Sequence, residues 1–208
     1  MNCTTLVRCG FLVLLWTAVL PDRASAEDLN RVGVAARTLF DFGADDSPRG
    51  WRIVNDGVMG GRSTSKFSVV DEGVARFAGQ LSLENNGGFA SVRSAPKDLG
   101  LQSDQTISLR VRGDGRRYTL CLYAPDRRTA FSFQSEFDTV KNEWIEARLP
   151  IAKFVANSYG RKVPGVSIDP RTINSLGILL GDKQAGPFEL QVDWIKVAPA
   201  EGTAQKAD

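Results

Sequence analysis

Gln105-Thr-Ile-Ser-Leu-Arg-Val-Arg112 alternates apolar and polar side chains without a break. Ile107, Leu109 and Val111 fall on one side and Ser108, Arg110 and Arg112 on the other, the period of a half-buried β-strand. Trp144-Ile-Glu-Ala-Arg-Leu149 repeats the pattern, with Ile145, Ala147 and Leu149 opposed to Trp144, Glu146 and Arg148. In Phe188-Glu-Leu-Gln-Val-Asp-Trp194 every second residue from Phe188 is apolar, which assigns Trp194 to the same face as Phe188, Leu190 and Val192. Further strands are expected at Thr38–Phe42, Trp51–Asn55, Lys66–Val70, Val74–Leu81, Phe89–Arg93, Tyr118–Ala124, Phe131–Phe137 and Ser175–Leu180. Asp71-Glu-Gly73, Asn86-Gly-Gly88, Gly113-Asp-Gly115 and Gly181-Asp-Lys183 separate them with residues that tolerate positive φ. One short helix is open at Ile151–Val155. About ten short strands divided by turns predict an all-β, single-domain sandwich or barrel.

The chain holds no histidine, which removes Ser-His-Asp and Cys-His nucleophilic sites and most catalytic zinc sites in their usual forms. A net charge of +2 supplies no electrostatic case for nucleic acid. At the N-terminus, Arg8 precedes the apolar run Phe11–Leu20. Pro21 ends that run, and Ala24-Ser25-Ala26 gives the small-x-small exit of a secretory signal. A run of roughly ten residues is too short to cross a bilayer. The expected organisation is therefore a signal peptide over 1–26, an arm over 27–37, the sandwich over 38–197 and a disordered tail over 198–208. The expected location is exported, periplasmic or secreted, with no membrane span after cleavage. Cys121 would then be the one cysteine left, a buried small residue in a strand.

Asn55-Asp-Gly-Val-Met-Gly-Gly-Arg-Ser63 resembles the opening signature of the complex I intermediate-associated protein 30 domain. Asn86-Gly-Gly-Phe-Ala-Ser-Val-Arg93, Arg112-Gly-Asp-Gly-Arg-Arg-Tyr118, Trp144-Ile-Glu-Ala-Arg-Leu-Pro150 and the segment from Ile173 to Leu190 resemble its later blocks, in family order. The resemblance implies a galactose-binding-like jelly roll without firmly attached enzymatic activity, whose best-known members are assembly chaperones of mitochondrial respiratory complex I. The N-terminus departs from those members, since it looks like a secretion signal and not an Arg-rich, acid-poor transit peptide.

Candidate contacts for a partner or ligand are Asn55, Asp56 and Met59 in the first block, and Asn86, Phe89 and Arg93 in the second. Arg112, Asp114 and Tyr118 in the third complete the set. Asn55 and Asp56 offer hydrogen-bonding groups beside glycines that allow close backbone approach, or else form a turn chosen for its φ angles. Phe89, Ser91 and Arg93 share one strand face, where Arg93 either pairs with Asp56 or Asp114 or presents donors to a sugar or peptide. Arg110, Arg112, Asp114, Arg116 and Arg117 concentrate charge suited to bidentate grip on a carboxylate, phosphate or sugar. Phe133 is expected in the core. Glu136, Asp138 and Asp126 are the acids available for a carboxylate pair of the glycosidase type. No cofactor is expected; a structural Ca²⁺ held by carbonyls and one Asp is open. The expected function is non-catalytic binding of a protein partner or membrane protein complex, with an oligosaccharide as the alternative.

Overall fold

The computed structural model describes residues 36–43, 48–70, 73–125 and 131–200. Among these, the chain forms thirteen β-strands and several short 3-10 turns, with no α-helix. The segments read as signal peptide and as most of the arm lie outside the described residues, as does 201–208. The strands are β1 Arg37–Phe40, β2 Trp51–Ile53, β3 Thr64–Val70, β4 Val74–Leu81, β5 Ala90–Ser94, β6 Gln105–Arg112 and β7 Arg117–Tyr123. They continue as β8 Ser132–Asp138, β9 Trp144–Pro150, β10 Val155–Ser158, β11 Arg161–Lys162, β12 Ser175–Leu180 and β13 Gly186–Pro199.

These strands make two antiparallel sheets. One has the order β3-β4-β13-β6-β9, with β1 also on β13; the other runs β11-β10-β8-β7-β12-β5-β2. The chain passes repeatedly from one sheet to the other, so neither sheet is contiguous in sequence. The result is a jelly-roll β-sandwich. β13 is the spine of the six-stranded sheet: Gly186–Val192 pairs with β4, Ile195–Val197 with β1, and Gln191–Pro199 with β6 along the other side.

The inward faces carry the alternating apolar residues. Ile107, Leu109, Val111, Leu190, Val192 and Ile195 from one sheet meet Leu120, Leu122, Leu176, Ile178 and Val92 from the other, all fully buried. Phe133 is buried as expected, at 5% exposure. At one edge Trp51 on β2 and Phe67 on β3 bring the sheets together, their rings 5.0 Å apart, with Phe40 and Phe42 against them.

Several elements differ from the sequence expectation for identifiable reasons. β1 stops at Phe40, because Phe42 turns into the left-handed region (φ 56°) and its ring enters the Trp51–Phe67 cluster. Ile151–Lys153 is a single 3-10 turn followed by strand, not a helix running to Val155. β10 and β11 have too little apolar alternation to be read from sequence. β13 runs to Pro199, past the expected start of a tail at 198. Trp194 is not on the core face. Val192 pairs with Val111 and Trp194 with Arg110, so Asp193 is an extra residue, a β-bulge that reverses the alternation. Ile195 and Val197 take the inward places, and Trp194 lies outside beneath the Lys196 ammonium, 4.3 Å from the ring centroid.

At Gly79 the backbone of β3 lies close against β4. A Cβ there would lie 2.0 Å from the Thr64 carbonyl oxygen and 2.7 Å from Ser65 Cα. Both obstacles are backbone, so Gly79→Ala is expected to cost about 3 kcal/mol in urea unfolding, while Gly57→Ala should stay within about 0.5 kcal/mol. Nothing lies within 4 Å of a Cβ at Gly57.

Candidate functional site

The first two signature blocks meet around one buried carboxylate. Asp56 has no exposed surface. Its Oδ1 accepts from Ser63 N (2.9 Å), and its Oδ2 accepts from Ser63 Oγ (2.6 Å), Gly88 N (2.7 Å) and Phe89 N (3.3 Å). Burial raises its pKa, but the hydrogen bonds from Ser63, Gly88 and Phe89 outweigh that and hold it below the ordinary carboxylate value. The glycines make room for this group. A Cβ on Gly61 would fall 2.4 Å from Asp56 Cγ, and one on Gly87 2.6 Å from Asp56 Oδ2. Asn55 is spent similarly: its Oδ1 accepts from Ser65 Oγ (2.9 Å) and Ser91 N (3.3 Å), and its Nδ2 donates to the Ser63 carbonyl (3.4 Å). Asn55 thus ties β3 of one sheet to β5 of the other. The expectation that Asn55 and Asp56 present open groups to a ligand is corrected: the fold uses their polar atoms. Met59 and Asn86 are exposed on the surface of these turns.

The polar groups of the third block are likewise bonded within the fold. Asp114 accepts from Arg116 N (3.1 Å), the Tyr118 hydroxyl (3.1 Å) and Glu189 N (2.9 Å). Tyr118 is a core residue with no exposure, not a surface contact, and burial beside Asp114 pushes its pKa upward. Arg112 donates to Gln191 Oε1 (2.6 Å from Nη2) and lies 5.1 Å from the Trp144 ring centroid. Arg116 and Asp182 form a bidentate pair (2.6 and 2.9 Å) whose side chains are only 11% and 7% exposed. Arg110 pairs with Asp193 at 2.7 Å, and Arg117 with Asp138 at 2.7 Å and Glu136 at 3.8 Å. Glu136 and Asp138 therefore flank one arginine; Asp126 lies outside the described residues.

Arg93 is elsewhere. It pairs with neither Asp56 nor Asp114, and shares no surface with Arg112. It stands on the outer face of the seven-stranded sheet, in a groove of about 710 Å³. As the alternation required, Phe89, Ser91 and Arg93 line this groove together. Tyr123 from β7 joins them, together with residues missed at the sequence level: Arg52 from β2, Gln134 from β8, Asn157 from β10 and Asn174 before β12. The Arg93 guanidinium lies 3.4 Å over the Tyr123 ring, and its Nε points at Ser175 Oγ at 3.4 Å. Gly177 lies beside this stack, since a Cβ there would fall 3.3 Å from Tyr123 Cε2. Partial burial lowers the Arg93 pKa, with Arg52 acting in the same sense against the raising effect of Tyr123. Cys121 is fully buried on the same side of β7, and burial pushes its thiol up to about 11, so it stays protonated at neutral pH. Among the described residues, no three acidic or cysteine side chains converge in the manner of metal ligands.

A family model for the complex I intermediate-associated protein 30 matches residues 40–192. The chain belongs to that family. It is 28% identical over 184 residues to the mouse mitochondrial complex I intermediate-associated protein 30, covering 78% of this chain and 56% of the mouse protein. A probable mitochondrial member from Caenorhabditis briggsae is also 28% identical, with 78% and 54% covered. The chain thus spans about half the length of the curated relatives it matches. Among solved structures it resembles a family 11 carbohydrate-binding module from Clostridium thermocellum in complex with a β-1,3-1,4-mixed-linked tetrasaccharide. The TM-score is 0.59 at 16% identity, with 81% of this chain and 97% of the module covered. At that identity the likeness concerns the fold. The relatives overturn one expectation: they are mitochondrial proteins, not periplasmic or secreted ones. The residues read as an export signal lie outside the described residues. No helix among the described residues is long and apolar enough to cross a membrane.

Asp56 should be the stability hinge of the family signature. Asp56→Asn keeps the volume but turns an amide donor toward groups that already donate, at an expected cost of about 3 kcal/mol in urea unfolding. A folded-state pKa below the unfolded one gives stability that is full above the unfolded carboxylate value and lost as pH falls through the folded one. Wild-type stability should therefore drop below about pH 4, and the variant should lose less across the same window.

Proposed function

We propose that the chain is a non-catalytic binding protein that assists assembly of respiratory complex I. In this reading it holds a protein component of an assembly intermediate in the groove on the seven-stranded sheet. The observation that carries the reading is the family match over residues 40–192. The groove supports it from the physical side, with apolar walls from Phe89, Leu179 and Phe131, and donors and acceptors from Arg52, Arg93, Gln134, Asn157 and Asn174. The charged groups elsewhere that resembled a site are already engaged within the fold.

A second reading, an oligosaccharide-binding module, is favoured by the amide and hydroxyl groups of Gln134, Asn157, Asn174 and Ser91 in the same groove, which suit sugar hydroxyls. Calorimetry with mixed-linked β-glucan oligosaccharides tests it: heat that saturates supports the reading, and a flat titration removes it.

For the assembly reading, the tagged full chain is incubated with detergent extracts of membranes carrying complex I, and bound subunits are quantified by mass spectrometry. Complex I subunits should be recovered above an unrelated β-sandwich control. Gln134→Trp, which fills the groove from β8, should lower recovery about tenfold. Recovery of complex I subunits no better than the control would overturn the proposal.

A further inference from the structure

We propose that Arg52 and Arg93 form an anion-gripping subsite in this groove, and that the segment they hold is an acidic stretch of a protein partner, bearing Asp or Glu side chains. The inference rests on the partner-binding reading above and specifies its chemistry.

Arg52 and Arg93 are directly opposed in the β2–β5 register. Side chains so placed in an antiparallel pair have Cβ atoms about 5 Å apart, and like charges there repel. The Tyr123 ring under Arg93 offsets this in part, and no carboxylate within the described residues pairs with either arginine. Among the described residues, the lining of the groove, and of the adjoining hollow that Arg49, Arg52 and Arg93 share, contains no Asp or Glu. The acids carried by the same sheet, Glu136 and Asp138, are engaged by Arg117. The outer face of the opposite sheet is arranged differently. There Arg76 meets Glu189, Arg110 meets Asp193, Arg148 meets Glu146 and Arg112 meets Gln191. Two opposed cations lining a groove with no carboxylate among its described residues call for a carboxylate from outside.

The geometry of Arg93 suits that role. Its stack on Tyr123 and the Nε contact to Ser175 hold the guanidinium in place, so little side-chain freedom remains to be lost on binding. Its terminal nitrogens make no hydrogen bond within the described residues and present the fork that grips a carboxylate bidentately. The same stack argues against a neutral sugar as occupant. The Arg93 guanidinium, 3.4 Å from the ring centroid, covers a face of Tyr123 and so takes that face from a pyranose ring. Phe89, Leu179 and the 80% exposed Tyr159 add apolar surface for side chains that flank the acids.

The test uses fluorescence anisotropy on the full chain with labelled octaglutamate, octaglutamine and oligogalacturonate, at low and moderate salt. Octaglutamate should bind and weaken with salt, and octaglutamine should not bind. Arg52→Gln and Arg93→Lys should each weaken octaglutamate about fivefold to tenfold, and Arg110→Gln on the opposite sheet should change nothing. Arg52 is exposed, so the Arg52→Gln protein is expected to keep the wild-type melting temperature, which makes its binding result interpretable. Absence of octaglutamate binding, equal weakening by Arg110→Gln, or binding of oligogalacturonate alone would overturn the inference. Complex I subunit recovery that survives Arg52→Gln and Arg93→Lys but is lost in Gln134→Trp overturns the acidic-segment inference and leaves the partner-binding reading standing.

Discussion

The buried Asp56 carboxylate is the constraint on which the binding face depends. A charge removed from water must be met by directed donors or it destabilises the fold by several kcal/mol. Here the donors come from Ser63 and from the backbone of Gly88 and Phe89, two chain segments that sequence separates widely. Satisfying that charge fixes the turn before β5, and β5 carries Ser91 and Arg93 into the groove. Asn55 adds bonds to both sheets from the next position along. The family signature is therefore a device for seating a carboxylate, and Gly61 and Gly87 are the positions at which a side chain would collide with it.

Charge is distributed unequally over the sandwich. One outer face carries arginines matched to acids or amides, and the Arg116–Asp182 pair ties the β6–β7 turn to the turn before β13. Such matched pairs contribute order and modest stability, and offer little to a partner. The other outer face has a groove whose charged lining groups, among the described residues, are Arg52 and Arg93. A weakly charged molecule can in this way present a local positive field while the whole carries only +2.

The fold was largely legible in the chain. Gln105–Arg112, Val74–Leu81 and Ser175–Leu180 were bounded correctly by alternation and flanking turns alone. The failures have local causes. Asp193 adds one residue to β13 and sends Trp194 outward, and a bulge leaves no mark in a pattern whose apolar residues remain plausible on either side. Phe42 leaves the strand for a left-handed turn because a ring pocket awaits it across the edge of the sandwich.

The site was legible only in part. That Phe89, Ser91 and Arg93 lie on one face follows from a period of two and needs no tertiary knowledge. That Asp56 is a structural charge, that Tyr118 is core and that Arg112 belongs to a different surface does not follow from spacing, because Asn, Asp and Gly serve a ligand loop and a packed turn equally well. Arg52 carried no signal at all in Trp51-Arg-Ile53. Local sequence determined which residues alternate, where the chain turns, and that imidazole chemistry is absent. Tertiary structure decided which strands become neighbours. Register between β2 and β5 is set by long-range pairing, and that pairing brings two arginines together in a groove with no acid among its described lining residues.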